Sequence, residues 1–292
     1  MRWNANTDTP LPPDEPAGQN PADGAVIDYQ LAAPATGPVT IEIRDARGRL
    51  VRRFSSTDTV PVDSGLNIPD YWMRPPQVVA TTTGMHRFVW DLHYPSPPAL
   101  SHNYPISAIY RDTWREPRGP VALPGRYEVR LSVNGRVLTQ PLTIRMDPRV
   151  RTLPAALQQE FTAANRMAAA MGRSYDALQA ARALRGQIRA LQGGVITGPL
   201  ADTVTALDRA IAAIESGGRG ATPSLTRVHN EAAGLLDLVD GVDAAPTTQA
   251  ARAVTTLETR LAEVLARWDT IRRRDMPRVN ARLKAAGLAE LR

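Results

Sequence analysis

Apolar positions along this chain change period once. Val39, Ile41 and Ile43 alternate with Thr40, Glu42 and Arg44, the period of a half-buried strand. Asp45-Ala46-Arg47-Gly48 predicts a turn, and Leu50, Val51 and Phe54 a return strand. Phe88, Trp90 and Leu92 alternate with Val89 and Asp91, so they are expected on one face with Trp90 inside. Tyr127, Val129, Leu131 and Val133 lead into Asn134-Gly135, which needs positive φ twice and predicts a type I′ hairpin returning through Val137, Leu142 and Ile144. Strands joined by tight turns without intervening helix predict an antiparallel β-sandwich over residues 24–147.

From residue 154 the spacing becomes helical. Leu157, Phe161, Ala164, Met171, Leu178, Leu184 and Ile188 form a first stripe, ended by Gly193-Gly194. Leu200, Val204, Leu207, Ile211 and Ile214 form a second, closed by Gly217-Gly218-Arg219-Gly220. Thr222-Pro223 starts a third, through Leu225, Val228, Ala232, Leu235 and Val239. Pro246 opens a fourth, through Val254, Leu257, Leu261, Val264, Trp268 and Ile271, which Pro277 should end or kink. At 1.5 Å per residue the outer helices would run about 58 and 45 Å and the middle two about 24 Å each. That mismatch predicts an antiparallel four-helix bundle over 154–292, with a two-helix stem returning the C-terminus toward the strands, unless Gly172 or Gly186 breaks the first helix. The boundary at Asp147-Pro148 predicts halves that fold separately.

Residues 1–23 carry Pro10, Pro12, Pro13, Pro16 and Pro21 and read as an extended linker from something upstream. No apolar signal core follows Met1, and no run is long enough to span a bilayer, so a soluble chain without its own export signal is expected. The net charge is +6, carried by arginine with Lys284 as the single lysine. Residues 1–150 hold 16 basic and 15 acidic side chains, residues 151–292 hold 19 and 14. So thin an excess, spread over several helices, reads as a solvated face and argues against nucleic acid as a partner. Arg272-Arg273-Arg274 is explained by a helix C-terminus, whose dipole favours positive charge.

Candidate chemistry is sparse. There is no cysteine, which excludes disulfides and thiolate sites. His86, His93, His102 and His229 show no metal spacing and read as solvent-facing or singly hydrogen-bonded; no metal site and no cofactor are expected. No nucleophile elbow or phosphate loop occurs, and the carboxylates cannot be paired by sequence, so no catalytic residue is assigned. Two irregular stretches, from Pro61 to Thr83 and from Tyr94 to Pro124, are rich in proline and aromatics. Tyr71, Trp72, Tyr104, Tyr110 and Trp114 are the candidate interaction surface.

Segments Pro21–Tyr29, Val39–Ile43, Arg47–Ser56, Gly84–Leu92, Leu123–Tyr127, and the tail around Trp268, Asp275-Met276-Pro277 and Asn280 resemble the region after the β-propeller in bacterial proteins with BNR or sortilin-like repeats. The strand region also resembles the immunoglobulin-like domain of the flagellar hook-capping protein. The resemblance implies an immunoglobulin-like fold and a non-catalytic accessory role: docking on a propeller or another protein, in a periplasmic or extracellular setting. Family members are often labelled glycosyl hydrolases, but that label rests on propeller boxes of the Ser-x-Asp-x-Gly-x-x-Trp type. None occurs here, so no catalytic residue is carried over. The alternative expectation is a carbohydrate-binding or glycosyl-hydrolase-associated protein using the loop aromatics. No membrane partner is expected.

Overall fold

Six strands precede five helices in the computed structural model, which describes residues 12, 14–16, 18, 21–60, 68–105, 111–193, 196–217 and 222–292. The strands are β1 (Ala25–Leu31), β2 (Thr40–Asp45), β3 (Leu50–Ser55), β4 (Gly84–Trp90), β5 (Gly125–Val133) and β6 (Arg136–Ile144). They form two antiparallel sheets, one of β1 and β4, the other in the order β3-β2-β5-β6. One apolar cluster takes residues from both: Tyr29, Phe88 and Trp90 from the small sheet, Ile41, Ile43, Val51, Tyr127 and Val129 from the large one. The alternation in β2 and β5 therefore marks the inner face as expected, and Asn134 and Gly135 both take positive φ, 48° and 76°.

Three details depart from the sequence pattern. β1, a strand not expected from the sequence pattern, alternates too, with Tyr29 and Leu31 buried. β4 ends at Trp90; Leu92 lies beyond it at φ 62°, so it is not a third residue of the Phe88–Trp90 face. In β3, Val51 and Phe54 are three apart and could not both face inward from a regular strand. A register shift places Ile43 opposite Arg52 and Arg44 opposite Leu50, leaving Val51 as the extra, bulged residue. Arg52 and Phe54, opposite the fully buried Ile43 and Ile41, thereby share the inner face of an edge strand.

The helices are α1 (Pro154–Gln192), α2 (Gly198–Ser216), α3 (Leu225–Asp240), α4 (Thr248–Thr270) and α5 (Met276–Ala285). All five contribute to a second apolar cluster. α1 is continuous through Gly172 and Gly186, and its buried Ala163, Ala164, Ala170, Ala177 and Ala181 let neighbouring helices approach closely. α3 is capped by Ser224, whose Oγ accepts from the Arg227 amide at 3.4 Å, in place of the expected Thr222. Thr247 caps α4 by accepting from the Ala250 amide at 3.2 Å.

Cross-helix pairs show why the short helices do not crowd one end. Arg182–Glu215, Arg185–Asp208 and Gln192–Thr205 lay α2 antiparallel along the last turns of α1. His229 meets Ser174, placing α3 along an earlier stretch of α1. Glu231–Arg260 and Pro223–Arg267 set α3 antiparallel to α4. α2 and α3 thus follow one another along α1, and together they cover the length that each alone could not.

Pro277 does not end the fourth helix. A π turn, Ile271–Asp275, absorbs it: the Met276 amide donates to Ile271 O, and Pro277 falls in the first turn of α5, where its missing donor costs nothing. Arg272, Arg273 and Arg274 therefore sit inside a continuing helix, with Arg274 paired to Asp275 at 2.8 Å, and not at a C-terminus. Leu291 is buried and bonded through its backbone to Asn280, and the Arg292 backbone bonds to Gln187 near the end of α1.

The chain divides into two compact units. The first is Met1–Ser96, His102–Phe161 and Asp240–Ala245; the second is Pro97–Ser101, Thr162–Val239 and Pro246–Arg292. Within the first, the Val121 amide donates to Asp240 Oδ1 at 3.1 Å, and the rings of Tyr94 and Phe161 lie 5.3 Å apart. A fragment 24–147 lacks both partners. Hydrogen exchange of its β2 and β5 amides is expected to be faster than in the intact chain, and a fragment extended to residue 161 should recover part of the protection. Equal protection in all three would show that the added segments carry no stability.

Candidate functional site

Two loop segments and two strand edges enclose a cleft of about 390 Å³ in the first unit. Arg52 and Phe54 of β3 line it, as do Phe88 and Val89 of β4, the segment Met73–Val78, and Thr113, Trp114, Arg115 and Arg118. The rings of Phe54 and Phe88 are 4.6 Å apart and supply its apolar part.

The loops are fixed by backbone pairing. The Arg74 amide donates to Thr113 O at 2.7 Å and the Thr113 amide to Trp72 O at 3.1 Å; Asn103 and Glu116 exchange amide-to-carbonyl bonds at 3.3 and 2.8 Å. Gln77 Oε1 accepts from the Val89 amide at 2.9 Å, using the edge of β4 that β1 leaves open. Past the cleft, the Tyr94 amide donates to Pro120 O at 2.9 Å. Gly119 lies between Arg118 and this contact. A Cβ there would stand 2.2 Å from Tyr94 O and 2.4 Å from Pro95 O. Gly119→Ala is therefore expected to destabilise by about 1–3 kcal/mol, the usual cost of overpacking, and to displace Arg118. Thermal unfolding measures the first effect and the shift of the Trp114 indole resonance the second; an unchanged Tm would show that the two segments separate easily.

The four arginines differ in how they are held. Arg74 is ion-paired: its Nε donates to Asp112 at 3.0 Å, and its Nη2 to Asp112 and to Asp23. Burial pulls its pKa down, but these carboxylates outweigh burial and leave it above the usual guanidinium value. Arg115 donates to the Tyr104 hydroxyl at 3.3 Å. Arg118 lies over the Trp114 ring at 4.3 Å, and Arg52 over Phe54 at 5.1 Å. Neither Arg52 nor Arg118 has a hydrogen bond or ion pair among the described residues. Burial pushes both below the ordinary value, opposed in each case by the nearby Asp91 carboxylate. Both are half-buried, and two guanidinium groups without a protein acceptor in one cleft are the main departure from a purely structural arrangement.

Of the aromatics singled out by sequence, Trp114 alone lines this cleft among the described residues. Its Nε1 donates to Glu116 Oε1 at 3.1 Å, and guanidinium groups lie over its ring, Arg118 at 4.3 Å and Arg74 at 5.9 Å. Tyr71 and Trp72 meet edge-to-face at 6.3 Å in a single 3-10 turn, Asp70–Trp72, with Tyr71 exposed. Tyr104 is half-buried against Arg115. Tyr110 lies outside the described residues, as do Gly218-Arg219-Gly220 and Gly194. Among the described residues, no three His, Asp or Glu side chains converge as a metal site would need, and no helix is long and apolar enough to cross a membrane.

The histidines divide. His86 is half-buried with Nε2 2.6 Å from Thr82 O; His93 is buried, its Nδ1 donating to Asp91 O at 2.6 Å; His102 Nδ1 donates to Glu116 O at 3.0 Å. His229, by contrast, is buried among the helices and uses both ring nitrogens. The solvent-facing or single-bond expectation fails for it because α3 turns that position toward the second core.

No family model, curated protein or solved structure matches this chain.

Proposed function

We propose that this chain is a non-catalytic accessory module that docks on an acidic group of a protein partner through the arginine-lined cleft of its first unit. The observation that carries this reading is the pair Arg52 and Arg118, guanidinium groups held in a cleft with no partner of their own among the described residues. In this reading the two sheets are the halves of an immunoglobulin-like sandwich. The cluster common to both sheets supports it, as does Tyr127, whose hydroxyl donates to Leu123 O at 2.6 Å, the kind of tyrosine corner found in such sandwiches. The helices form an antiparallel bundle of three columns: α1, α2 followed by α3, and α4 continued by α5. The ion pairs along them support that arrangement.

A propeller protein of the sortilin or BNR type is the first partner to test, on the resemblance of the strand and tail segments. Calorimetric titration of the full chain with such a protein from the same organism is expected to show saturable binding that Arg118→Gln weakens at least tenfold. The carbohydrate alternative has less in its favour, because a guanidinium, Arg118, already stacks on the Trp114 ring. A glycan array and a panel of glycoside substrates decide it: turnover that disappears on Asp91→Asn would overturn the docking reading. Nucleic acid and membranes are not proposed as partners.

A further inference from the structure

Resting on that docking reading, we infer that the cleft is a carboxylate-binding site in which Arg52 and Arg118 together clamp a single carboxylate presented by the partner, an aspartate or glutamate side chain or a chain terminus. A guanidinium presents several N–H donors in a plane and matches a carboxylate edge-on; those of Arg52 and Arg118 have no other acceptor among the described residues. Both are held in advance. Arg118 is stacked on Trp114, whose own indole N–H is fixed by Glu116, and Gly119 admits the tight turn behind it. Arg52 projects from the inner face of β3 beside the Phe54 ring. Little ordering is left for the moment of binding.

Charge favours the smaller anion. Among the described lining residues, Arg74 is already met by Asp112 and Asp23, while Arg52 and Arg118 both feel the Asp91 carboxylate. A single carboxylate brings one negative charge against Asp91, a phosphate dianion two. The cleft, about 390 Å³, accommodates a side chain and its flanking peptide rather than a folded surface.

The test uses the full chain and three probes: a blocked pentapeptide carrying one central glutamate, its glutamine counterpart, and inorganic phosphate. A glucuronate titration adds the sugar-acid source. Binding is followed at the Trp114 indole N–H by NMR. The glutamate peptide is expected to bind saturably and at least tenfold more tightly than the glutamine peptide or phosphate. Arg52→Gln and Arg118→Gln should each weaken it tenfold or more, and the double variant should abolish it. Because these substitutions remove unpaired cations, the variants are expected to keep or raise the wild-type Tm, so lost binding is not lost folding. Equal affinity for the glutamine peptide, tighter binding of phosphate, or wild-type affinity in the double variant overturns the inference. If Arg118→Gln weakens the partner tenfold but the glutamate and glutamine peptides bind alike, docking stands and the carboxylate clamp falls; if the partner binds the double variant as it binds wild type, both fall. If glucuronate binds more tightly than the glutamate peptide and Arg118→Gln removes it, the clamp stands and protein docking falls.

Discussion

Replacing Trp90 by alanine is expected to cost about 3–5 kcal/mol, a large share of the roughly 5–15 kcal/mol that holds a domain of this size folded. Trp90 is fully buried and stands edge-on to Tyr127, centroid to centroid 5.8 Å. Its Nε1 donates to His93 O at 3.0 Å, where the chain turns out of β4. The substitution removes the largest side chain of the first core and strands a buried carbonyl. Trp90→Phe separates the two effects, because it keeps most of the volume and loses only the donor, at about 1–3 kcal/mol for the unsatisfied acceptor. Trp114→Ala, at a half-buried position lined by charged groups, should cost clearly less than Trp90→Ala while exposing Arg118. Chemical denaturation of the three variants checks the order. Equal losses for Trp90→Ala and Trp114→Ala would show that the shared core of the two sheets is not centred on Trp90.

Trp90 was legible because alternation needs only the local chain. The same rule places Ile41, Ile43, Tyr127 and Val129 inward, and Asn134-Gly135 fixes its hairpin by φ alone. Arg52 was within reach of that rule. It stands two residues before Phe54, hence on the same face, but a charged residue in an apolar pattern reads as solvent-facing until the edge position of β3 is known. Arg118 was out of reach: its place depends on pairing between 92–94 and 120–122 and on the absence of a Cβ at Gly119, neither of which leaves a periodic trace. Of the loop aromatics, Trp114 spends its indole N–H on Glu116 and Tyr104 its phenol on Arg115, within the loops themselves. Helix lengths follow from the sequence, but which helix pairs with which does not. Counting residues gives a length but no pairing, and it could not foresee that a π turn would carry α4 through Pro277.

Lowering the pH through the histidine range is expected to loosen the second unit through His229. This side chain is 1% exposed. Ser174 donates its hydroxyl hydrogen to Ala170 O at 2.8 Å, so its oxygen accepts from His229 Nδ1–H at 3.1 Å. His229 Nε2 is then left to accept from the Leu100 amide at 3.3 Å, and Leu100 and Ala99 pack on the helical core. The network assigns one neutral tautomer. Protonation at Nε2 would set one donor against another and release the Pro97–Ser101 segment. Burial holds the His229 pKa below its ordinary 6.5, only partly offset by a bond to the backbone of Met171. The unfolded chain therefore takes up the proton first as pH falls. The stability from neutral His229 is fully present above about pH 6.5 and is lost as pH drops from there through the lower folded value. His229→Gln keeps an acceptor for Leu100 and a donor for Ser174 but does not titrate, so its unfolding free energy should vary less between pH 7.5 and 5 than that of wild type. His229→Ala removes both partners and should cost about 1–3 kcal/mol for the stranded Leu100 amide, with a cavity penalty in addition, at every pH. Hydrogen exchange at the Leu100 amide reports the same event locally: wild type should lose protection toward pH 5 and His229→Gln should keep it. A Leu100 amide whose protection is indifferent to pH in wild type would show that His229 stays neutral throughout and that the segment is held by packing alone.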